Sequence, residues 1–576
     1  MRHFEKALFA ALMLSSVASA RTAVGQALPI ETIPYVLSSY NPGDGDNLSS
    51  SNLLVDHEGN LYGTTVDGGL VAGNQVGFGR VFELSPVVGG GWTEKTIYIF
   101  NGYKTDGSGP SGNLTWDEKG NIYGTTQGGG AYNNGTAYEL SPASDGTWTE
   151  RVIYSFPTQT NPYFPGGGLV FDTHGSLFGV TPYGGSPNDG GCSTFGGCGM
   201  VYELSPSADG QWTGKFIYEF GASSADLIYP QPYLVIDSNG NLYGTAFNSG
   251  YPSKPTGVFE LTQQSDGNWT ETIIHRFGRI STDGQFPNGN LLLDRQGNLY
   301  GVTAGGGPST AGYPGGGTVF ELEPQSDGNW TEKQLFVFPD YSTAPVPTGL
   351  FGFNPNEGLT MDAAGNLYGT TEAGGISTGP FNQGTVFELE PHPDGIWTAR
   401  LLHSFPANQT DGYLTNSQVA FDAHGNLFGT TLFTEEPSNN HYGLGAVYEL
   451  AAVGPSSAAG TKTSLFLNQS GETLHVNEPI TLTASINADT SLVVIPTGAV
   501  TFTDSTGVSV VVPLVAGRAV YSLTVPATCM YSVSASYSGD IGFAPSKSDT
   551  ISRMVIPRFE NCTFPSYLGA ASPATR

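Results

Sequence analysis

Four carboxylates are the first residues in this chain whose type and placement could do chemistry. Asp67, Glu372, Glu435 and Glu436 each follow a copy of the phrase Leu-Tyr-Gly-Thr-Thr or its variant, and His441 stands close by in sequence. Two carboxyl groups flanking a glycosidic bond can cleave it, one as acid and the other as nucleophile or base. A carboxylate–histidine pair can move protons in general acid–base work. No G-x-S-x-G, H-E-x-x-H, Walker A or dinucleotide fingerprint accompanies them. The preferred reading is therefore non-catalytic. If the chain is an enzyme, Asp67, Glu372, Glu435 and Glu436 are the residues that carry the reaction.

Other acidic residues recur too regularly to be a reaction centre. Asp56, Asp117, Asp172, Asp237, Asp294, Asp362 and Asp422 occur once per repeat, as do Glu83, Glu139, Glu203, Glu260, Glu321, Glu388 and Glu449. The aspartates read as turn caps and the glutamates as cross-strand partners. A calcium site needs six to eight converging oxygens, which one aspartate per repeat does not supply. No metal site and no cofactor is expected. His275 and His403 stand where other repeats have tyrosine and read as structural.

The four cysteines pair most simply with their neighbours in sequence, as Cys192–Cys198 and Cys529–Cys562. Such pairing suits an oxidising compartment. Arg2 and Lys6, the apolar run Ala7–Leu14 and the small residues Ala18-Ser19-Ala20 read as a secretory signal over residues 1–20. No stretch of the mature chain is long and apolar enough for a membrane-spanning helix.

The elements that must hold these residues are strands. The chain has 576 residues with 81 glycines, 12% aromatic and only 12% charged residues, and a net charge of −29. That balance excludes nucleic-acid binding, which needs a basic face. It also excludes coiled coils and disorder, and it points to an all-β protein with many turns. Variants of Gly-Asn-Leu-Tyr-Gly-Thr-Thr begin at Gly59, Gly120, Gly175, Gly240, Gly297, Gly365 and Gly425. Each repeat holds four strand-like phrases, exemplified by Leu53–Asp56, Leu61–Thr65, Val81–Leu84 and Trp92–Phe100. Four strands in each of seven repeats predict a seven-bladed β-propeller over residues 31–450. The last repeat lacks its fourth phrase, and Glu31–Tyr40 supplies a copy of it. The N-terminal strand is therefore expected to close blade seven, with Tyr35–Ser39 against Val447–Leu450, removing a free edge.

The Gly-Asn-Leu-Tyr-Gly-Thr-Thr copies, the glycine pairs after them, the Val-Phe-Glu-Leu copies and the Asp-Gly…Pro segments at Asp106–Pro110 and Asp283–Pro287 resemble bacterial choice-of-anchor tandem repeat GloVer-containing proteins. The resemblance spans residues of about 31 to 450 and implies a repeat scaffold without a particular reaction. After a linker at 451–461, residues 462–552 alternate apolar and polar. Pro496–Phe502 and Tyr537–Asp540 there resemble bacterial Ig-like repeats, which implies a β-sandwich, followed by a tail at 553–576. The tail carries no apolar helix, so release or attachment through the Ig-like module is expected.

Within the propeller, function is expected where repeats differ. The turn between strands one and two and the hairpin between strands three and four are short and uniform. The loops on the other face are long, variable and aromatic. Tyr103, Tyr183, Tyr251 and Tyr313 are the candidate ligand-binding residues there, stacking on sugar faces or forming a protein-binding surface. The expected partners are an extracellular polysaccharide or a cell-envelope protein. A carbohydrate-active enzyme and a purely structural surface protein are the alternatives.

Overall fold

In the computed structural model, the structure describes residues 30–556 apart from single positions and loop segments. The longer omissions are 37–45, 158–164, 186–191, 248–254, 308–314, 340–351, 376–383, 406–412, 434–444, 454–460, 489–498 and 538–545. Tyr251, Tyr313, Glu435, Glu436, Cys529, Cys562 and the signal-like residues 1–20 lie outside the described residues.

The chain divides into two units, the first ending at Val453 and the second beginning at Gly454. The first contains seven antiparallel sheets, each built on four main strands, in sequential order in six of them and with the N-terminal strand as the outer one in the seventh, besides a small two-stranded sheet. Blade two is representative: Gly107–Trp116, Ile122–Gly129, Thr136–Pro142 and Trp148–Ser155 lie side by side. Burial explains the phrases. The second strand is covered on both faces, and Leu177–Thr181 is buried at every residue. The fourth strand alternates partly buried and exposed residues over Trp148–Arg151, as expected where one face meets water.

The glycine inside each second strand has a steric reason. Gly63 lies opposite Phe82, whose ring crosses it; a Cβ there would stand 2.5 Å from the ring Cζ. Tyr138 covers Gly124 and Tyr202 covers Gly179 in the same way.

Neighbouring blades meet through a repeated aromatic contact. Phe100 packs on Tyr138, Phe156 on Tyr202, Phe220 on Phe259 and Phe338 on Phe387, with ring centroids 4.9–5.2 Å apart. Each pair joins the end of one blade's outer strand to the third strand of the next. A single blade could not cover these rings, so the ring of blades is the unit of stability.

Closure follows the expected scheme with a shifted span. Ile30–Val36 pairs antiparallel with Ala446–Ala451, placing Tyr35 opposite Val447 and Glu31 opposite Leu450. The strand starts at Ile30 rather than Tyr35, because its register copies the other outer strands: Glu31 takes the place of Glu94, which faces Leu84. Residues 37–40 lie outside the described residues.

The second unit is a β-sandwich. One sheet orders Thr461–Leu467, Pro479–Ala488 and Arg518–Thr524; the other orders Thr473–His475, Ile551–Ile556, Met530–Tyr537, Ala499–Asp504 and Ser509–Pro513. Leu474, Leu482, Phe502, Val533 and Tyr537 form its buried core. The sandwich runs past the expected limit at 552 to Ile556, because this last strand pairs with both Thr473–His475 and Met530–Val533. No helix among the described residues is long and apolar enough to cross a membrane.

Candidate functional site

Three regions of the propeller hold polar or exposed side chains in repeating positions: the tight-turn face, the axis and the loop face. On the tight-turn face, Asp56 accepts hydrogen bonds from the Glu58 and Asn60 amides at 2.9 Å, and from the side chains of Asn60 at 2.8 Å and Tyr62 at 3.1 Å. Asp117, Asp294 and Asp362 repeat this arrangement. Each carboxylate already has several donors, so these aspartates hold turns. Five of the seven repeated glutamates pair across strands with cations, as Glu203 does with Lys215 at 2.9 Å and Glu388 with Arg400 at 3.1 Å, while Glu260 faces Thr272 and Glu449 faces Thr32.

The axis is filled by amides. Gln418 of blade seven accepts hydrogen bonds from Asn52 of blade one at 2.6 Å and from Asn290 of blade five at 2.8 Å, and donates to the Leu359 carbonyl at 2.7 Å. Backbones approach closely here: a Cβ on Gly167 would stand 1.7 Å from the Pro232 carbonyl oxygen. A cavity of about 110 Å³ remains among Asn113, Tyr233, Asn290 and Gln418. It can hold a few waters and no sugar chain.

Glu357 stands beside this axis where other blades carry Gly112, Gly167, Pro232 and Gly289. It is buried, and desolvation, then the Glu372 charge, hold its carboxyl well above the usual carboxylate range. Burial raises Glu372 too, and Asn354 Nδ2 donates to its Oε2. Asp67 is exposed at the end of its strand and belongs to blade one. Among the described residues, then, Glu372 stands close enough for its charge to act on Glu357, which its sequence context does not single out.

The loop face carries the exposed aromatic rings. Tyr103 is 67% exposed, Tyr132 53% and Phe78 51%. All three belong to blades one and two or the crossover between them. The loop is nevertheless ordered beneath Tyr103: Asp106 accepts from the Asn101 amide at 2.9 Å, the Gly107 amide at 2.7 Å and the Tyr98 hydroxyl at 3.2 Å. Phe78 is fixed through its backbone, donating to the Phe100 carbonyl and accepting from the Gly109 amide, both at 2.8 Å. Tyr183 differs: it packs edge-on against Tyr229 with centroids 5.8 Å apart, so its ring is half spent on the loop itself. Cys192 and Cys198 are bonded, with Cα atoms 5.1 Å apart, and both are buried.

A further set of contacts links outer strands of successive blades. The Tyr218 hydroxyl donates to Glu271 at 3.2 Å, and His275 lies 3.8 Å from Glu332. Where the glutamate is missing, at Gly214, Tyr154 fills the space, and a Cβ would meet its ring at 2.5 Å.

Comparison with known proteins agrees with the repeat architecture. No curated protein matches this chain. Among solved structures it resembles the extracellular domain of a one-component system from B. thetaiotaomicron, at 11% identity and TM-score 0.40. That match covers 92% of this chain, which spans only 59% of that domain's length. The plexin A4 extracellular region matches at 9% identity and TM-score 0.40, over 91% of this chain and 67% of that one. A GH32 β-fructofuranosidase of Bombyx mori matches at 11% identity and TM-score 0.29, covering 79% and 87% of the two chains. These similarities carry nothing over to the chemistry of this chain. The sequence itself is decisive: residues 27–192 and 191–448 match the Gloeobacter/Verrucomicrobia repeat and residues 467–556 the group 3 bacterial Ig-like domain. The chain belongs to the Gloeobacter/Verrucomicrobia repeat family and carries a bacterial Ig-like domain over residues 467–556.

Proposed function

We propose that this is a non-catalytic binding protein of the cell exterior that holds a neutral polysaccharide on the loop face of its propeller. The observation that carries this reading is the exposure of Phe78, Tyr103 and Tyr132 over blades one and two. Exposed rings on a tied-down backbone lose little entropy on binding and present flat apolar faces, which suit the C–H faces of sugars. The net charge of −29 disfavours acidic polymers and nucleic acids. The signal-like N-terminus, the Cys192–Cys198 bond and the bacterial Ig-like domain support an extracellular or surface location. Binding to neutral polysaccharides, followed by affinity electrophoresis with the parent and Tyr103→Ala and Tyr132→Ala variants, tests it; unchanged retardation by every glycan defeats it.

A second reading has one specific support. Glu357 and Glu372 are two carboxyls of blade six that burial raises above the usual carboxylate range, and such perturbed groups gather at catalytic sites. In this reading the chain is a glycoside hydrolase. Reducing ends released by the parent and lost in Glu372→Gln would establish it.

A further inference from the structure

The crossover from blade four to blade five gathers three metal-ligating side chains from three separate segments. His275 lies on the outer strand Trp269–Arg276, Asp283 just before the strand Gly284–Leu293, and Glu332 on the outer strand Trp330–Val337. One ligand atom from each stands within 4.8 Å of the other two, and His275 Nε2 is 3.8 Å from Glu332 Oε2.

Blade one holds the same motif and shows what differs. There Tyr98 occupies the histidine position and Asp106 the aspartate position, and Asp106 takes donors on both oxygens, from two backbone amides and the Tyr98 hydroxyl. Asp283 is also buried, 6% exposed, and among the described residues it receives the Arg279 amide, at 3.2 Å on Oδ2. Its Oδ1 is buried with no hydrogen-bond partner, and so is His275 Nε2; Glu332 Oε1 is also unsatisfied, as is Glu150 Oε1 at the same place in blade two. Three buried, unsatisfied polar atoms on the residues of one cluster are costly for a folded protein. Histidine in place of tyrosine, here as at His403, removes a hydroxyl donor and adds a nitrogen ligand.

We propose that His275, Asp283 and Glu332 bind a divalent first-row transition-metal ion, zinc fitting best, which fastens the outer strands of blades four and five to the crossover between them. An imidazole with two carboxylates suits zinc and disfavours calcium and magnesium, which take oxygen ligands. Zinc bonds of about 2.0–2.2 Å in a tetrahedron place ligand atoms roughly 3.3–3.6 Å apart, so the histidine–glutamate separation needs little change. The wider separation closes by side-chain rotation. Two carboxylates offset the ion's two charges, while the Arg279 cation nearby weakens the site without filling it. The side chains of His275 and Glu332 keep 19% and 18% exposure, which leaves water a fourth position.

The test is metal titration of the full chain. The protein is stripped with EDTA, titrated with Zn²⁺ by calorimetry, and compared with His275→Tyr and Glu332→Gln. Tyrosine stands at this position in blades one to three, so His275→Tyr keeps a residue that the fold accepts. The expected result is tight binding by the parent, one equivalent fewer in His275→Tyr, and binding at this site weakened by about a hundredfold or more in Glu332→Gln. X-ray absorption of the zinc-loaded parent should show one imidazole and oxygen donors. Should His275→Tyr fail to fold, Glu332→Gln and the absorption spectrum decide. Absence of stoichiometric zinc binding by the parent, or identical stoichiometry and affinity in both variants, overturns the proposal.

Discussion

Tyr35, on the strand nearest the N-terminus, lies opposite Val447 on the last blade of the ring. The two residues are joined by no neighbouring sequence, yet their strands make blade seven as complete as the other six. Deleting residues 30–36 should leave Ala446–Ala451 as an open edge and cause concentration-dependent aggregation. Light scattering of the deletion variant checks this; a soluble variant with the parent's melting temperature would count against the closure.

Arg80 and Glu94 form a second feature of blade one. The Arg80 guanidinium is 1% exposed, 2.6 Å from the Glu94 carboxylate and 2.7 Å from the Thr96 hydroxyl. Blade two has Thr136 at the Arg80 position, bonded to Thr126 at 2.7 Å. Glu94→Ala strands a buried cation and should cost about 3–5 kcal/mol. Arg80→Thr should cost much less, because the new hydroxyl can meet Thr65 opposite. Denaturant midpoints of the two variants make the comparison, and equal losses would contradict it.

Glu150 sets a pH dependence. Burial, and next the charge of Asp106, push its carboxyl up to about 8. An acid whose folded pKa is raised binds a proton that the unfolded chain has released, so its contribution to stability is present at low pH and falls from about pH 4.5 to about pH 8. Glu150→Gln should leave the melting temperature near pH 4 unchanged and raise it by about 1–2 °C at pH 8. A variant destabilised at pH 8 would reverse the sign.

The Cys192–Cys198 bond closes a short loop on the loop face. Replacing both residues by serine should cost about 2 kcal/mol through the unfolded state, and non-reducing peptide mapping should show the two residues linked in the exported protein. Free thiols there would refute the pairing.

The propeller was legible because its signals are local and repeated. Leu-Tyr-Gly-Thr-Thr marks the strand buried on both faces, and Asp-x-x-Gly-Asn marks the turn before it. The closing strand was legible because Glu31 and Tyr35 keep the spacing of Glu94 and Tyr98. Contacts between blades were not, since Tyr218 and Glu271 meet only after two sheets have stacked. Phe78 escaped notice because no other repeat places an aromatic there, and Glu357 because its position is otherwise filled by glycine, proline or serine. His275 looked like a replacement for tyrosine within one strand; its acidic neighbours come from the next crossover and the next blade.

Binding on the loop face is the central claim, and a quantitative comparison of two faces tests it most directly. Calorimetry or affinity electrophoresis with a panel of neutral polysaccharides should be run on the parent, on Tyr103→Ala with Tyr132→Ala, and on Asp56→Ala from the tight-turn face. The account predicts that the loop-face pair weakens binding at least about tenfold with an unchanged melting temperature, each ring contributing about 1 kcal/mol. Asp56→Ala should lower the melting temperature and leave affinity intact. Retained affinity in the loop-face pair, or loss of affinity in Asp56→Ala at temperatures where it is folded, would contradict the account.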